Sequence, residues 1–418
     1  MLSQTLSALL LVSSFNIAPV ASLPSSKHTV FKHVNGGTAA KVNMAERSSS
    51  SVGTKATAWI PVDKVRGVNL GSLFVSEPLG CKGYPDEWSC NKVNGLRVMQ
   101  RRWENHWNTF YQQSDFDEMA TLGINTVRLP LGYWTVDSTI DKGEYYAKGS
   151  MKYVKQVLRW AKRAGLDVIL DFHAAPGSQS VNETFTGQKT VVPGFFSDYN
   201  YGRAYKVLQN WTRLAHTDPD FSTVVMIEVV NEPKQDSSTN LTSVYYPQAQ
   251  KVIRATEQSL GISCTGRNAS CLTIQFMDDW WGAGHPKTYI DTSDRVAYDD
   301  HNYAQWTVPV ANRTREGYIS SLCKTTRPIN SFPVITGEWS LSTIGGGELT
   351  IASNGSNQFF RDFSAAAIMS AEKGAGQIFW SWKTELNSSL WGYRDAVQAG
   401  YIPKDLSKLD RTVCKKYP

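Results

Sequence analysis

Glu232 and Glu338 are the residues of this sequence with the clearest capacity for chemistry. Glu232 ends the apolar run Val224-Val-Met-Ile-Glu-Val-Val-Asn-Glu-Pro233, and Glu338 ends another, Pro333-Val-Ile-Thr-Gly-Glu-Trp339. Two carboxylates from separate segments suit hydrolysis of a glycosidic bond. One, protonated, serves the leaving oxygen; the other, ionised, attacks the anomeric carbon or activates water. Environment must then hold their pKa values apart. Arg128 and Tyr303 are the groups expected to keep Glu338 ionised. Asn231, next to Glu232, offers an amide to a sugar hydroxyl. His173, His301 and Trp380 also end apolar segments, in Asp171-Phe-His173, Asp299-Asp-His301 and Phe379-Trp380.

The elements that must hold these side chains follow from pattern. Short apolar runs rich in β-branched residues read as buried strands. Eight are visible: Gly67–Ser72, Thr126–Gly132, Asp167–Ala174, Val224–Asn231, Ser270–Asp278, Arg295–Tyr303, Pro333–Ser340 and Gln377–Lys383. Pro233 cannot extend a ladder, so the fourth strand stops before it. Helical spacing falls between strands, over the segment from Phe116 to Gly123, the segment from Tyr153 to Gly165, Ala249–Leu260 and Phe359–Lys373. The glycines after the first two are helix stops. Eight strands alternating with helices predict an α/β chain folded as a single (β/α)8 barrel with loop insertions. On such a barrel the strand ends converge on one face. Two Glu, two His, an Arg, an Asn, a Tyr and a Trp would share one cleft there.

The whole chain of 418 residues adds bounds. Residues 1–22 read as a signal peptide, with an apolar stretch Leu6–Val12 and the small-residue site Ala18-Pro-Val-Ala21. Residues 23–60 read as a flexible polar leader, and 61–418 as the catalytic domain. No later stretch approaches ~18 uninterrupted apolar residues, so no membrane partner is expected. Seven Asn-x-Ser/Thr sites, at Asn182, Asn210, Asn240, Asn268, Asn312, Asn354 and Asn387, accord with a secreted protein, free outside the cell or in its wall. The six cysteines have fifteen possible pairings. Proximity favours Cys81 with Cys90 and Cys264 with Cys271, which leaves Cys323 with Cys414. A net charge of +6 with no long basic run argues against nucleic acid. His106, His216 and His285 lie away from the strand ends and read as structural. A metal-dependent hydrolase built on His173, His301 and Asp299 lacks a third ligand at useful spacing. No metal or cofactor is expected.

These residues together resemble glycoside hydrolase family 5, over roughly residues 65 to 410. Asn231-Glu232-Pro233 is similar to that family's acid/base motif, and Gly337-Glu338-Trp339 to its nucleophile motif. The resemblance implies that Glu338 attacks and Glu232 protonates the leaving oxygen, then deprotonates water. It implies that Arg128 and Tyr303 orient Glu338, and that His173, Asn231 and His301 bind hydroxyls or tune the pair. Trp380 would floor the cleavage point. Arg66-Gly-Val-Asn-Leu-Gly71, Ala175-Pro-Gly-Ser-Gln179 and Phe379-Trp-Ser-Trp-Lys383 are similar to the fungal β-glucanase branch. Glu77 resembles a position that contacts the terminal sugar in that branch. Phe185-Thr-Gly-Gln188, Lys234-Gln-Asp236, Asp278-Asp-Trp-Trp281 and Asp395-Ala-Val-Gln-Ala-Gly400 look more like its endo-β-1,6-glucanases than its exo-β-1,3-glucanases. Trp280 and Trp281 are candidate stacking residues for the sugars beyond the cleavage point. The expected partner is a β-glucan polysaccharide and the expected form a monomer. An exo-β-1,3-glucanase is the alternative, and a non-catalytic glucan-binding wall protein a more distant one.

Overall fold

A computed structural model describes residues 62–77, 81–234, 239–265, 269–278, 286–325, 333–386 and 388–417. The proposed signal peptide and leader lie outside these residues. So do Gln235, Asp236, Trp280, Trp281, His285 and the sites at Asn268 and Asn387.

Eight parallel strands close into one barrel in chain order. They are β1 (Val65–Asn69), β2 (Thr126–Gly132), β3 (Asp167–Ala174), β4 (Val224–Glu228), β5 (Thr273–Met277), β6 (Val296–His301), β7 (Val334–Glu338) and β8 (Gly376–Phe379). Closure is made by β1 on β8, with Val65 opposite Gly376 and Val68 opposite Phe379. Around the barrel run α1 (Glu87–Asn94), α2 (Leu96–Thr109), α3 (Gln113–Thr121), α4 (Met151–Ala164), α5 (Asp198–Thr217) and α6 (Tyr246–Ser259). After them come α7 (Ala304–Thr307), α8 (Arg315–Lys324), α9 (Ser356–Glu372) and α10 (Tyr393–Gln398). Among the described residues, the helical structure between β5 and β6 is a single 3-10 turn, Pro286–Thr288. No helix among the described residues is long and apolar enough to cross a membrane.

α4 shows how pattern becomes structure. Val154, Val157, Leu158 and Ala161 are buried at helical spacing, and Gly165 ends the helix at φ 72°, a conformation only glycine adopts cheaply. The strands are buried on both faces, as their continuous apolar runs require. Inside the barrel, Val65, Ile169, Met226, Ala297, Ile335 and Ile378 form a separate apolar plug. Side chains on a strand alternate faces. Two residues beyond Ile169, Met226 and Ala297 stand Asp171, Glu228 and Asp299, which therefore also point inward, one layer higher. That step from oil to charge turns one end of the barrel into a site.

Six strands end earlier than their apolar runs predict: β1 at Asn69 rather than Ser72, β4 at Glu228, β5 at Met277, β6 at His301 rather than Tyr303, β7 at Glu338 rather than Ser340, and β8 at Phe379. β4 leaves the ladder at Glu228, opposite Gln275, rather than at Asn231. The chain stays in line through single bonds, from Val229 N–H to Gln275 O (3.1 Å) and from Asn231 N–H to Phe172 O (3.0 Å). β5 is shorter than Ser270–Asp278. β8 stops at Phe379, and Trp380 and Trp382 bond instead to Trp339 O and Asn69 O across the mouth. α1, α2, α5, α7, α8 and α10 have no counterpart among the four helical patterns of the sequence. Disulfides join Cys81–Cys90, Cys264–Cys271 and Cys323–Cys414, the pairing that proximity favours.

Candidate active site

Arg128 is the hub. It rises from the middle of β2 into the barrel and is fully buried. Its Nε donates to Glu228 Oε2 (2.8 Å), and its terminal nitrogens to Asn69 Oδ1 (3.0 Å), Glu338 Oε1 (2.8 Å) and Asn231 Oδ1 (2.7 Å). Asp171 Oδ2 lies 3.0 Å away and Asp299 Oδ2 3.8 Å. One planar cation thus faces four carboxyl groups, a task its five-donor fork suits, and burial still lifts Glu228 well above the usual carboxylate range. Burial alone pulls Arg128 down, but Asp171, Glu228, Glu338 and Asp299 lift its pKa well above the usual value.

Glu338 ends β7, 4% exposed. Arg128 holds one carboxylate oxygen, and the Tyr303 hydroxyl donates to the other at 2.7 Å. Both donors expected from the sequence are therefore in place. Burial nevertheless pushes the Glu338 carboxyl above its ordinary 4.5, against the pull of His301 and Arg128 and helped by Glu232. Removal from water thus outweighs its cationic neighbours in setting the direction of the shift. Burial likewise raises Tyr303, so it keeps the proton it donates.

Glu232 stands at φ 40°, a left-handed conformation costly for a side-chain residue. The flanking chain over-determines it. Asn231 N–H bonds to β3, the Ser180 hydroxyl donates to Glu232 O, and Lys234 N–H donates to Gln179 O at 2.7 Å. Gln179 also donates to His173 O (2.7 Å) and Asn231 O (2.9 Å). The Glu232 carboxyl, half-buried, meets His301 Nδ1 at 2.5 Å. His301 Nδ1 also lies 3.5 Å from Glu338, and its Nε2 3.3 Å from Asp299. Burial would pull His301 down, but Glu338, Asp299 and Glu232 outweigh it, and its pKa lies well above the usual histidine value. One oxygen each of Glu232 and Glu338 lies within 4.8 Å of the other. Oxygens that close accord with the ~5–5.5 Å spacing of carboxyl groups at which one attacks directly, rather than the ~6.5–9.5 Å that leaves room for a water.

The other sequence candidates gather around this pair. His173 donates to or accepts from Asp171 at 2.6 Å and stacks on Trp380 at 5.3 Å, planes within 12°. Phe185 meets the edge of His173 at 5.6 Å. Asn231 is 1% exposed, and its Nδ2 has no hydrogen-bond partner among the described residues. Glu77 stands beside Trp380 and Ser72, its carboxyl raised by burial. Of the candidate histidines set aside, His106 bonds to Ser72 O (2.8 Å) and His216 to Glu257 (2.9 Å), both outside the cluster.

Several residues of the site were not singled out as candidates for the glycosidic reaction. Asn69 fixes the floor, donating to Gly337 O at 2.8 Å. Asp171, Glu228 and Asp299 hold Arg128, His173 and His301, and the two-residue period of strands was the signal for them. Gly337 is required because a Cβ there would collide with the Asp299 carboxylate, which accepts the Gly337 N–H at 2.8 Å. Trp306 is 60% exposed, 5.1 Å from Tyr303. It follows Tyr303 by three residues on the turn that α7 makes, so the local spacing was itself the signal.

Comparison with known proteins agrees with this geometry. The family model described as cellulase (glycosyl hydrolase family 5) matches residues 89–386. The chain is 38% identical over 401 residues to the probable glucan endo-1,6-beta-glucosidase B of Aspergillus terreus, covering 87% of this chain and 97% of the relative. It is 39% identical over 366 residues to glucan endo-1,6-beta-glucosidase B of Emericella nidulans, covering 84% and 88%. The probable glucan 1,3-beta-glucosidase A of Aspergillus terreus is 27% identical over 400 residues, covering 85% and 90%. Among solved structures, rutinosidase from Aspergillus niger matches with a TM-score of 0.62 at 20% identity, covering 81% of this chain and 99% of that one, a likeness of fold. With an eight-stranded parallel barrel and paired carboxylates at its mouth, the chain belongs to glycosyl hydrolase family 5.

Proposed function

We propose that this chain is a secreted, retaining β-glucanase that cleaves β-1,6-glucan internally. The observation that carries the reading is the carboxylate pair, within 4.8 Å and differently set: Glu338 buried between two donors, Glu232 half-open to the cleft. The linkage rests on likeness. Identity is 36–39% to relatives named glucan endo-1,6-beta-glucosidase B and 27–29% to relatives named glucan 1,3-beta-glucosidase A.

The reaction runs in two displacements. Glu338 attacks the anomeric carbon as the C–O bond to the leaving sugar breaks. Glu232 gives its proton to the departing oxygen. Water then attacks the glycosyl-enzyme from the vacated side, Glu232 takes its proton, and Glu338 leaves. Arg128 and Tyr303 hold Glu338 in line and oppose its drift during bond formation. His301 and His173 tune the pair and meet sugar hydroxyls, as does the open Nδ2 of Asn231. Trp380 floors the cleaved sugar, backed by His173. Glu77 closes the floor on the far side of Trp380 and contacts a terminal hydroxyl.

Linkage is chosen by what holds the neighbouring sugar, because a β-1,6 bond adds a rotatable exocyclic carbon and changes the exit angle. A misplacement of an ångström can cost ~100-fold in rate. Product analysis on pustulan and laminarin tests the reading. Gentiobiose and short oligomers should appear early from pustulan, with laminarin turned over slowly. Faster turnover of laminarin, with glucose as the sole early product, would overturn the linkage in favour of an exo-β-1,3-glucanase.

A further inference from the structure

A groove of about 480 Å³ runs between α5 and α6, on the outside of the barrel. Tyr201, Tyr205, Val244 and Pro247 line it. Tyr205 rests against Tyr245 at 5.5 Å with planes within 12°, and Val244 is 41% exposed. The catalytic cluster uses none of these residues. At the edge of the groove stands Asn240, exposed, the first residue of an Asn-Leu-Thr site. It precedes the π-helical turn Leu241–Tyr245 that leads into α6. The Tyr201 hydroxyl donates to Asn240 Oδ1 at 2.7 Å, and Val244 N–H donates to Asn240 O at 2.9 Å. The carboxamide is thus held against the groove wall by its oxygen, and the attachment atom of an N-linked sugar is the nitrogen.

We propose that Asn240 carries an N-linked glycan whose first N-acetylglucosamine lies in the tyrosine-lined groove between α5 and α6. The proposal rests on the export reading above. The sugar comes from a lipid-diphosphate oligosaccharide donor during export. The C1–O bond to diphosphate breaks, an Nδ2–C1 bond forms and Nδ2 loses one proton, while the hydrogen bond from Tyr201 to Oδ1 survives. An aromatic ring offers an apolar face to the C–H face of a sugar and, in tyrosine, a hydroxyl to its rim. Covalent attachment delivers the sugar to that face at no cost of association. A contact made only in the folded state stabilises it.

The test uses the full chain, with its own N-terminal residues, in a yeast secretory host. Glycopeptide mass spectrometry should find Asn240 occupied. Thr242→Ala removes the site but leaves Asn240 and its bond from Tyr201 in place; Thr242→Ser keeps the site. The Thr242→Ala enzyme should melt about 2–4 °C below the Thr242→Ser enzyme, with unchanged turnover of pustulan. In a Tyr205→Ala background that gap should vanish. A chain retained in the cells and unmodified overturns the export reading and this proposal together. An exported chain with bare Asn240 overturns this proposal alone. Occupied Asn240 with no gap in melting temperature overturns the packing of the sugar in the groove.

Discussion

Arg128 explains how a barrel can hold four carboxylates within reach of one another. Each of Asp171, Glu228, Asp299 and Glu338 is buried, and an unpaired buried charge is expensive. The guanidinium offsets that cost and aims Glu338 and Asn231 at the cleft in the same stroke. The roles proposed for the two glutamates separate in their mutants. Glu338→Ala should abolish turnover with folding intact. Glu232→Ala should slow polymer cleavage by ~10²–10⁴-fold while sparing glycosylation by activated aryl glucosides, whose leaving group needs no acid. Equal loss on both substrates in pre-steady-state measurements would reverse the assignment. The pH profile carries a sign. Glu338 acts as a carboxylate, and burial lifts it above 4.5. The acid limb of kcat/KM should therefore rise through a value above 4.5, and Arg128→Met, which removes an opposing cation, should move it higher. A limb at or below 4.5 contradicts this.

At the scale of elements, the N-terminus of α1 joins two walls of the cleft. Glu87, 3% exposed, accepts the Ser76 N–H at 3.1 Å, next to Glu77. Asp86 caps the helix through Ser89 N–H and also accepts the Lys189 N–H at 2.8 Å, while Trp88 N–H donates to Gly187 O. The loop after β1 and the loop after β3, which carries Phe185, thus share one anchor. Burial, with Asp86 beside it, pushes Glu87 up to about 8 from 4.5. Between those values the folded chain keeps a proton that the unfolded chain releases. This group's contribution to stability is therefore full below pH 4.5 and falls as pH rises to about 8. Glu87→Gln keeps an acceptor for Ser76 without the proton. It should flatten the decline in melting temperature across that window; an unchanged slope would show that Glu87 does not titrate there.

For the whole molecule, the proposed internal cleavage has a physical signature. The viscosity of a pustulan solution should fall well ahead of the release of reducing ends, whereas cleavage from chain ends would release sugar at nearly constant viscosity. Much of the architecture was legible in the sequence, because strands buried on both faces must be apolar throughout and cannot be mistaken for surface. β2 and β3 have the predicted bounds, and the polar residues that end the runs are the ones gathered at the mouth. Glu232, Glu338 and Tyr303 were readable for the same reason, as polar residues that close buried apolar runs, and Arg128 as a charge inside one. What the sequence could not determine is set by distances between segments far apart in the chain. The approach of Glu232 and Glu338 to within 4.8 Å and the burial that raises Glu338 despite two donors depend on barrel closure and register. Alternation along one strand says which face a side chain takes; only the closed sheet says what stands opposite it.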